Sequence, residues 1–284
     1  MGGYLVTGAT GMLGTEIVAA LAGREMTAAS RADLDITDAA AVDAAIAGHD
    51  VVINCAAWTA VDAAEDHEDD ARRINALGPE LLAHAAKRHG ATLVTISTDY
   101  VFNGHGTTPY AEEAPRDPVS AYGRTKAEGE QLAIAAHSDG TIVVRTAWLY
   151  GAGGPNFVKT MLRLAGERET LTVVDDQVGQ PTWARDLAVQ IVALLDTGTR
   201  SGIFHGTNSG QTSWWGFARA IFSEAGLDPQ RVHPVESAAF PQKAPRPAYS
   251  VLGHDAWAST GLEPMRNWAD ALAQASADGL MGPR

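Results

Sequence analysis

The sequence predicts an α/β fold: a Rossmann-like, doubly wound parallel sheet joined to a smaller mixed α/β lobe at the C-terminal end. Short apolar runs alternate with longer helical stretches through the first 150 residues, a rhythm typical of βαβ units. The runs at 51–53 and 142–144 contain no polar residue, as expected for strands that are covered on both faces. A Gly-rich turn follows the first run directly and begins the first helical stretch.

The first half contains five expected strands, each a short run dominated by β-branched or other apolar residues. They lie at residues 4–7, 27–30, 51–54, 92–97 and 141–145. Four helices are expected between them, around residues 12–22, 39–47, 69–89 and 121–137, where Ala, Leu, Ile or Glu recur at helix-compatible spacing. This order of elements is that of a parallel sheet with helices on both faces.

The second half has a less regular rhythm. Gly and Pro crowd residues 151–155, and Pro recurs at irregular intervals afterwards, which indicates turns. The expected elements are strands at 170–174 and 203–205 and helices at 183–195 and 214–225. We therefore predict a sheet domain over residues 1–150 with a returning segment at about 170–198, and a second lobe built from residues 151–169 and 199–284.

Composition narrows the classes of partner. The 284 residues include 34 Asp and Glu against 21 Lys and Arg, a net charge of −13, and an acidic surface repels nucleic acid. No run approaches the roughly 18–20 apolar residues of a membrane span, and no signal peptide precedes the first strand, so a soluble cytoplasmic protein is expected. Cys55 is the single cysteine, which excludes an intramolecular disulfide.

An acidic stretch at residues 62–70 holds six carboxylates in nine positions. A divalent metal site is one interpretation, because oxygen ligands suit magnesium and calcium. We favour a second interpretation, in which acidic residues at a helix start complement the helix dipole. Glu68/Arg72 and Asp69/Arg73 also have the i,i+4 spacing of surface ion pairs.

The Gly-rich turn has the spacing G-x-x-G-x-x-G. Its place between a strand and a helix lets the backbone approach a pyrophosphate, which then lies on the free N–H groups of the helix N-terminus. A purely structural loop is the alternative, but the position favours dinucleotide binding. The residues concerned are Gly8, Gly11, Met12, Leu13 and Gly14.

The end of the second strand bears on the choice of cofactor. A site that prefers NAD places a carboxylate there, whereas this sequence reads Ser30-Arg31, and a guanidinium suits the 2′-phosphate of NADP. We expect NADPH, with NADH as the alternative; Arg31 could otherwise be an exposed surface charge. The other expected cofactor contacts are Asp35 and Ile36 near the adenine, and the small residues Ala56 and Ala57 after the third strand.

A phenol and an ammonium lie one helical turn apart at Tyr122 and Lys126. Thr98 ends the fourth strand and brings a hydroxyl to the sheet edge that also carries the Gly-rich turn. A free phenol has a pKa near ~10, and a neighbouring ammonium lowers it toward the range needed for proton transfer at neutral pH. The three residues together predict carbonyl reduction; a helix-surface pair is the alternative for Tyr122 and Lys126.

The sequence resembles the extended short-chain dehydrogenase/reductases and, more narrowly, the dTDP-4-dehydrorhamnose reductases. The resemblance is carried by the Gly-rich turn, by STDYVF at residues 97–102 and by YGxxK at 122–126. Further matches are NxAAxTAVD at 54–62, RTxWxY at 145–150, NFV at 156–158, DQxGxPT at 176–182 and RP at 246–247. They extend from residue 4 to about residue 250, which is nearly the whole chain.

The resemblance implies that the chain reduces the 4-keto group of dTDP-4-dehydro-L-rhamnose, giving dTDP-L-rhamnose, with hydride from the nicotinamide. Tyr122 would donate the proton, Lys126 would lower the pKa of Tyr122 and hold the nicotinamide ribose, and Thr98 would hydrogen-bond the keto oxygen. By the same resemblance Thr59 would contact the cofactor and Asn75 would support the site. The second lobe would bind the nucleotide sugar.

Five further residues are implied for the substrate. Asp99, Tyr100 and Trp148 would line the sugar site, and Asn156 and Arg246 would meet the nucleotide diphosphate. Three of them have ordinary alternatives: Trp148 as core, Asn156 as the cap of the helix that follows it, and Arg246 as a loop charge.

A metal is not predicted. Glu16 matches a position through which some members of the resembled family hold magnesium between subunits, but Arg185 stands where the partner carboxylate would be. Monomer and homodimer both stay open. We assign His205, Trp214 and Trp215 to packing of the second lobe.

Two rival functions stay open. A nucleotide-sugar 4,6-dehydratase or epimerase would keep its NAD bound, but a dehydratase needs a Glu where Tyr100 stands. A regulatory subunit would bind NADP without turning it over, as the related subunit of methionine adenosyltransferase does. The presence of all three residues Thr98, Tyr122 and Lys126, the catalytic trio, favours catalysis instead. The nucleotide base and the sugar stereochemistry depend on the irregular second half and are left open.

Overall fold

The computed structural model describes residues 3–282; the predicted domain limits at residues 1 and 284 lie outside the described residues. The strands of the first half are β1 (Gly3–Thr7), β2 (Met26–Ala29), β3 (His49–Asn54), β4 (Thr92–Thr98) and β5 (Thr141–Thr146). Its helices are α1 (Met12–Ala20), α2 (Ala39–Ile46), α3 (Val61–Ala64), α4 (Glu68–Arg72), α5 (Gly78–His89) and α6 (Ala121–Ala136). The predicted strands of this half are confirmed.

The second half has shorter elements. Its strands are β6 (Leu149–Tyr150), β7 (Leu171–Val174), β8 (Val178–Gly179), β9 (Thr182–Trp183), β10 (Gly202–His205), β11 (Thr212–Ser213) and β12 (Val232–Val235). Its helices are α7 (Phe157–Glu167), α8 (Ala184–Asp196), α9 (Trp214–Glu224) and α10 (Trp268–Ala277). Single 3₁₀ turns connect several of these elements.

Within residues 3–282, the large sheet has the strand order β10-β5-β4-β3-β1-β2, and every neighbouring pair is parallel. The chain runs outward from β1 to β2 and then crosses to β3 on the other side of β1. Ligands of such sheets bind beside the carboxyl ends of the strands at this reversal. The predicted doubly wound α/β architecture is confirmed, and its crevice lies above β1, β3 and β4.

Both faces of the large sheet are covered. On one face Val6, Ile53 and Val144 pack with α1 and α8, and on the other Val52 and Leu93 pack with α2 and α5; all five are at most 1% exposed. Fully buried strands need no polar alternation. The apolar runs at 51–53 and 142–144 are therefore explained as predicted, because both faces of these strands are buried.

The segment that returns to the sheet differs in extent from the predicted residues 170–198. β7 lies in that range but pairs with β12, and Leu171 and Val173 join the core of the second lobe. α8 packs on α1, and β10, which the sequence assigned to the second lobe, pairs with β5 in the large sheet. The next strand after α8 completes a parallel crossover, which is why it extends the large sheet.

The long helix expected at residues 69–89 is interrupted. A π-helical segment, Arg73–Leu77, lies between α4 and α5. Pro79 has no N–H to donate to the carbonyl of Asn75, so the regular α-helical bonding cannot pass through this point. Arg73, the first residue of this segment, lines a cavity beside the carboxyl ends of the strands.

The second lobe has its own core, formed by α7, α9 and α10 around Phe217, Ile221 and Leu272. Each of these side chains is at most 1% exposed. In the part of the chain that the structure describes, no helix is both long and apolar enough to cross a membrane.

Candidate active site

The Gly-rich turn is shaped by close backbone contacts. Gly8 has a φ of +64°, and a Cβ on it would lie 2.7 Å from the backbone nitrogen of Ala56. A Cβ on Gly14 would lie 2.2 Å from the carbonyl oxygen of Gly8, so α1 approaches the turn closely only because residue 14 is glycine. Gly11 precedes α1 and offers no side-chain cap, which leaves first-turn N–H groups available to an anion. The turn fits a dinucleotide pyrophosphate.

A cavity of about 500 Å³, cavity A, opens from this turn over the carboxyl ends of β1, β2 and β3. Its lining contains the predicted residues Gly8, Gly11, Arg31, Asp35, Ile36, Ala56 and Ala57. Ser30 does not line it: its Oγ donates to the Asp33 carboxylate at 2.6 Å and its backbone N–H donates to the same oxygen. The Ser30 hydroxyl therefore makes a contact within the turn, and its predicted contact with the cofactor stays a prediction.

Two arginines face cavity A. Arg31 was expected; Arg73, from the π-helical segment, was not. Among residues 3–282 neither guanidinium has a hydrogen-bond or ion-pair partner, although most arginines of this acidic protein are paired. The pKa of the Asp35 carboxyl is lowered first by the backbone N–H of Thr37, then by its hydroxyl, and also by the charges of both arginines. The guanidinium groups of Arg31 and Arg73 are thus available to bind an anionic group in cavity A, in addition to a pyrophosphate at the Gly-rich turn.

The predicted ion pairs Glu68/Arg72 and Asp69/Arg73 are wrong. Glu68 pairs with Arg124 at 2.7 Å, and Arg72 pairs with Glu128, both across the interface between α4 and α6. Helix α6 packs beside α4 and presents partners of opposite charge, so the ion pairs join two helices. The i,i+4 spacing predicted that Arg73 pairs with Asp69. The sequence therefore did not indicate that Arg73 lines cavity A.

The catalytic trio meets in a second cavity of about 590 Å³, cavity B. Thr98 ends β4, while Tyr122 and Lys126 lie on α6, which begins after the cap Ser120. A Cβ on Gly123 would lie 2.2 Å from the carbonyl oxygen of Tyr100, so glycine lets α6 approach the strand end. The predicted residues that line cavity B are Gly11, Met12, Leu13, Ala57, Thr59, Thr98, Asp99, Tyr100, Tyr122, Lys126 and Trp148.

A hydrogen bond joins two residues beside Tyr122: Thr98 Oγ1 donates to Asp99 Oδ1 at 2.9 Å. The Thr98 hydroxyl also acts on the phenol of Tyr122, because it lowers the pKa of that group. Lys126 Nζ donates to the carbonyl oxygen of Ile96 at 2.6 Å, which fixes the ammonium beneath the cavity floor. The arrangement places the proton of the Tyr122 phenol in cavity B beside a hydroxyl and an ammonium.

Burial dominates the electrostatics of the trio. It raises the pKa of Tyr122 to about 12, with the Thr98 bond acting in the opposite direction. It lowers the pKa of Lys126 to about 8. Burial outweighs the other effects on the Tyr122 pKa, and the expected lowering of that pKa by Lys126 stays a prediction. Tyr122 therefore holds its proton at neutral pH.

Asp99 is 2% exposed and lies at the wall of cavity B. Burial raises the pKa of its carboxyl to about 6, against the lowering effect of bonds to Ser250 and Thr98. Its Oδ2 has no hydrogen-bond partner among the described residues. A buried acceptor without a donor is costly, so a hydroxyl brought by a ligand is the natural partner for this oxygen.

Two tryptophans form one wall of cavity B. Trp148, the sole non-glycine residue of the described range with a positive φ (+46°), stacks on Trp214 with ring centroids 3.6 Å apart. A Cβ on Gly179 would lie 2.6 Å from the Trp148 ring, so the DQxGxPT stretch makes room for it. Trp214 packs against the core of the second lobe, as assigned, and in addition lines the cavity. Trp215 packs against the same core and donates from Nε1 to the Val232 carbonyl.

A third cavity, cavity C, of about 380 Å³ continues from cavity B into the second lobe and shares Tyr100 and Trp214 with it. Arg246 lines it, with its guanidinium carbon 5.9 Å from the centre of the Tyr100 ring. Arg246 Nη2 also donates to Asp62 Oδ2 at 2.9 Å. The predicted site arginine thus lies at the junction of two cavities, held by Asp62, which belongs to the acidic stretch at 62–70 and for which the sequence indicated no contact with Arg246.

Asn156 has a different role from the predicted phosphate contact. Its Oδ1 accepts the backbone N–H of Lys159 and caps α7, and its Nδ2 donates to the Gly151 carbonyl at 2.8 Å. The capping alternative is the one that the structure supports. Asn75 has the supporting role expected of it: its Oδ1 accepts from Trp58 N, and its Nδ2 donates to Thr125 on α6.

Arg185 occupies the side of α1 where a metal ligand was considered. Its Nε lies 3.4 Å from Glu16 Oε2 and its Nη1 lies 2.6 Å from Asp278 Oδ2. Glu16 therefore neighbours a cation of the chain itself. A guanidinium at this place disfavours a divalent ion.

Known proteins are similar to this chain in sequence and in fold. A family model described as the RmlD substrate binding domain matches residues 3–280. A dTDP-4-dehydrorhamnose reductase of Streptomyces griseus is 50% identical over 279 residues, 95% of this chain and 92% of the relative. A dTDP-4-keto-6-deoxy-D-glucose reductase of Streptomyces niveus is 50% identical over 276 residues, 96% of each chain. The crystal structure of a Bacillus anthracis dTDP-4-dehydrorhamnose reductase in complex with NADP has a TM-score of 0.94 at 39% identity, covering 98% and 99% of the two chains.

Proposed function

The chain belongs to the RmlD substrate binding domain family and is an oxidoreductase of the dTDP-4-dehydrorhamnose reductase type, and we propose that it reduces dTDP-4-dehydro-L-rhamnose to dTDP-L-rhamnose with Tyr122 as the proton donor. NADPH is the cofactor. When bound, it supplies the hydride for carbon 4 of the sugar. The residues of the chain bind and orient both molecules and supply the proton.

One observation carries the proposal: cavities A and B share the Gly-rich turn. Thr10, Gly11, Cys55 and Ala57 line both cavities, so a dinucleotide that crosses the turn has one end in each. Tyr122 and Lys126 lie in the cavity at the far end from Arg31. The adenosine end of a bound dinucleotide would therefore lie in cavity A near Arg31, and its nicotinamide end in cavity B near Tyr122.

The proton step is assigned to the phenol of Tyr122, which lines cavity B. As the keto oxygen gains negative charge it becomes a stronger base than phenolate, so the proton on Tyr122 moves to it despite the raised pKa of the phenol. The Thr98 hydroxyl, which donates to Asp99 Oδ1, lowers the pKa of the phenol and so favours the phenolate that remains. Lys126 stabilises the negative charge at the cavity floor and is assigned the nicotinamide ribose.

The substrate contacts are assigned from cavities B and C. Asp99 Oδ2, which has no donor in the described residues, is assigned a hydroxyl of the sugar. Tyr100, Trp148 and Trp214 supply aromatic surface for the sugar ring and its methyl group. Arg246 is assigned the diphosphate, because a guanidinium matches its oxygens. Asn156 is withdrawn from this set.

The proposal for the cofactor end is that Arg31 and Arg73 together hold the 2′-phosphate of NADPH. Both are unpaired in the described residues and both face cavity A. NADH lacks that phosphate and leaves two cations facing the carboxylates Asp35 and Asp70 of the same cavity. This balance supports a preference for NADPH that is not absolute.

A second substrate stays open, because the Streptomyces niveus relative of equal identity is named for dTDP-4-keto-6-deoxy-D-glucose. Incubation of the enzyme and NADPH with each 4-keto sugar nucleotide, followed by NMR of the product, separates the two. Formation of dTDP-L-rhamnose at the higher kcat/KM supports the proposal. Faster reduction of the D-glucose derivative would transfer the assignment to that sugar.

The rival functions have less support. Tyr100 stands where a dehydratase carries its additional acid, and its ring packs edge-on against Tyr122 at 5.6 Å. A regulatory subunit has no need of the buried Asp99 carboxylate beside Thr98, whose unpaired oxygen costs stability.

A further inference from the structure

The acidic stretch at 62–70 connects parts of the site that are distant in sequence. Within it, Asp62 and Asp66 contact the loop that carries Arg246, and Glu65 contacts the start of α6. These contacts span 177–184 residues on one side and 56 on the other. The stretch therefore takes part in tertiary contacts, and each of these three carboxylates has its own partner.

Asp62 makes the closest connection to the substrate loop. Its Oδ2 accepts from Arg246 Nη2 at 2.9 Å, and its Oδ1 accepts from the backbone N–H of Ala244 at 3.0 Å. Lys243 forms an ion pair with Asp66 one helical turn further along. The Arg246 side chain is 14% exposed and that of Asp62 is 49% exposed, so the carboxylate holds the arginine from its solvent side.

Arg246 keeps hydrogen-bonding capacity in this arrangement. A guanidinium has five N–H donors; one is given to Asp62, and a second reaches the Ala244 carbonyl at a long 3.4 Å. The remaining donors lie beside Tyr100 at the junction of cavities B and C. Asp62 thus fixes the orientation of the Arg246 guanidinium and leaves other N–H donors of that group available to a ligand.

The other end of the same stretch reaches the catalytic helix. Glu65 Oε1 accepts the backbone N–H of Ala121, the residue before Tyr122, at 2.8 Å. Val61, adjacent to Asp62, lines cavity B. The orientation of Arg246 is therefore set relative to Tyr122 through one short segment.

We propose that Asp62 is a positioning residue for the nucleotide sugar: it holds Arg246 and the Ala244 backbone so that the guanidinium meets the diphosphate while the sugar lies at Tyr122. The inference rests on the proposed function for the identity of the substrate. Without Asp62, Arg246 samples several rotamers and its loop loses a backbone anchor, so substrate binding pays the ordering cost. Chemistry at Tyr122 is unaffected once the substrate is bound.

The test is a double-mutant cycle on dTDP binding, measured by isothermal titration calorimetry with the full-length protein. Asp62→Ala and Arg246→Ala should each weaken dTDP binding by about tenfold, and the double variant should be no weaker than Arg246→Ala alone. In turnover, Asp62→Ala should raise KM for the sugar nucleotide with kcat nearly unchanged. The dissociation constant for NADPH should not change, which also reports that the variant is folded.

Asp69→Ala is the matched control, because Asp69 lies on α4 in the same acidic stretch and its side chain has no hydrogen-bond or ion-pair partner in the described residues. It removes the same charge and should leave dTDP binding unchanged. The inference is overturned if Asp62→Ala weakens binding no more than Asp69→Ala does, if the two losses of the cycle add, or if the wild type does not bind dTDP. Because the titration needs no turnover, an Asp62-dependent dTDP site without sugar reduction would contradict the proposed function alone.

Discussion

The indole of Trp148 stacks on that of Trp214 with an interplanar angle of 9°. Trp148 follows β5 of the large sheet, and Trp214 begins α9 in the second lobe, so this contact joins the two parts of the chain at the wall of the catalytic cavity. The positive φ of Trp148 stores backbone strain, which the stack and the space beside Gly179 compensate. The stacked pair of Trp148 and Trp214 is therefore an ordered part of the wall of cavity B.

Replacement of Trp214 by Ala should therefore affect the substrate more than the cofactor. We expect KM for the sugar nucleotide to rise by about tenfold, because a stacked aromatic wall is lost, while NADPH binding stays unchanged. Trp215→Ala is the control: it removes the neighbouring indole, which packs on the Val232 carbonyl and lines none of the three cavities. Equal effects of the two substitutions on KM would mean that Trp214 acts through packing alone and does not contact the substrate.

Tyr122→Phe removes the proposed proton and keeps the ring. We expect kcat to fall by about 10²–10⁴-fold, the usual contribution of a positioned general acid. NADPH binding, followed by nicotinamide fluorescence, should persist because the phenol contributes little to it. A rate within a few fold of the wild type would transfer the proton to another group, with Asp99 as the first candidate.

The cofactor end predicts a selective loss. Arg31→Ala and Arg73→Ala should each weaken NADPH binding by about tenfold and change NADH binding much less, because NADH has no 2′-phosphate. Arg168→Ala is a control of equal charge change, since Arg168 is exposed on the second lobe. Parallel losses for NADPH and NADH in either cavity variant would contradict the 2′-phosphate assignment.

Asp99 predicts a pH-dependent cost to stability. Burial raises its pKa from 3.8 to about 6, so between those values the folded protein retains a proton that the unfolded chain releases, and the free energy of unfolding falls as pH rises. Above pH 6 the full cost is about 3 kcal/mol, taken from a shift of roughly two pKa units. Asp99→Asn removes this titration.

Urea unfolding of both proteins measures that cost. The stability of Asp99→Asn relative to the wild type should increase from pH 4 to pH 6 and then stay level. The comparison cancels the other carboxyl groups, which are the same in both proteins. A difference that does not vary with pH would mean that the Asp99 pKa is not raised.

The sheet could be predicted because its cause lies within each segment. Strands such as β3 and β5 are covered on both faces, so they consist of uninterrupted apolar runs, and the turn at Gly8 is fixed by a backbone contact that only glycine allows. The catalytic trio could be predicted for a similar reason. Tyr122 and Lys126 share one helix, and Thr98 ends the neighbouring strand.

The remaining site residues depend on long-range packing. Arg73 faces cavity A because Pro79 interrupts a helix and Arg72 and Glu68 find partners on α6. Asp62 and Arg246 lie 184 positions apart, and neither carries a local pattern that indicates the other. Trp214 follows a capped helix start, which fits packing and a cavity wall equally well.

The central claim is tested most directly by mixing the purified protein with NADPH and enzymatically generated dTDP-4-dehydro-L-rhamnose and following the nicotinamide absorbance. The account predicts that NADPH is consumed in step with formation of dTDP-L-rhamnose, and that Tyr122→Phe binds NADPH without consuming it. NADPH that binds to the wild-type protein but is not consumed in the presence of the keto sugar would contradict it.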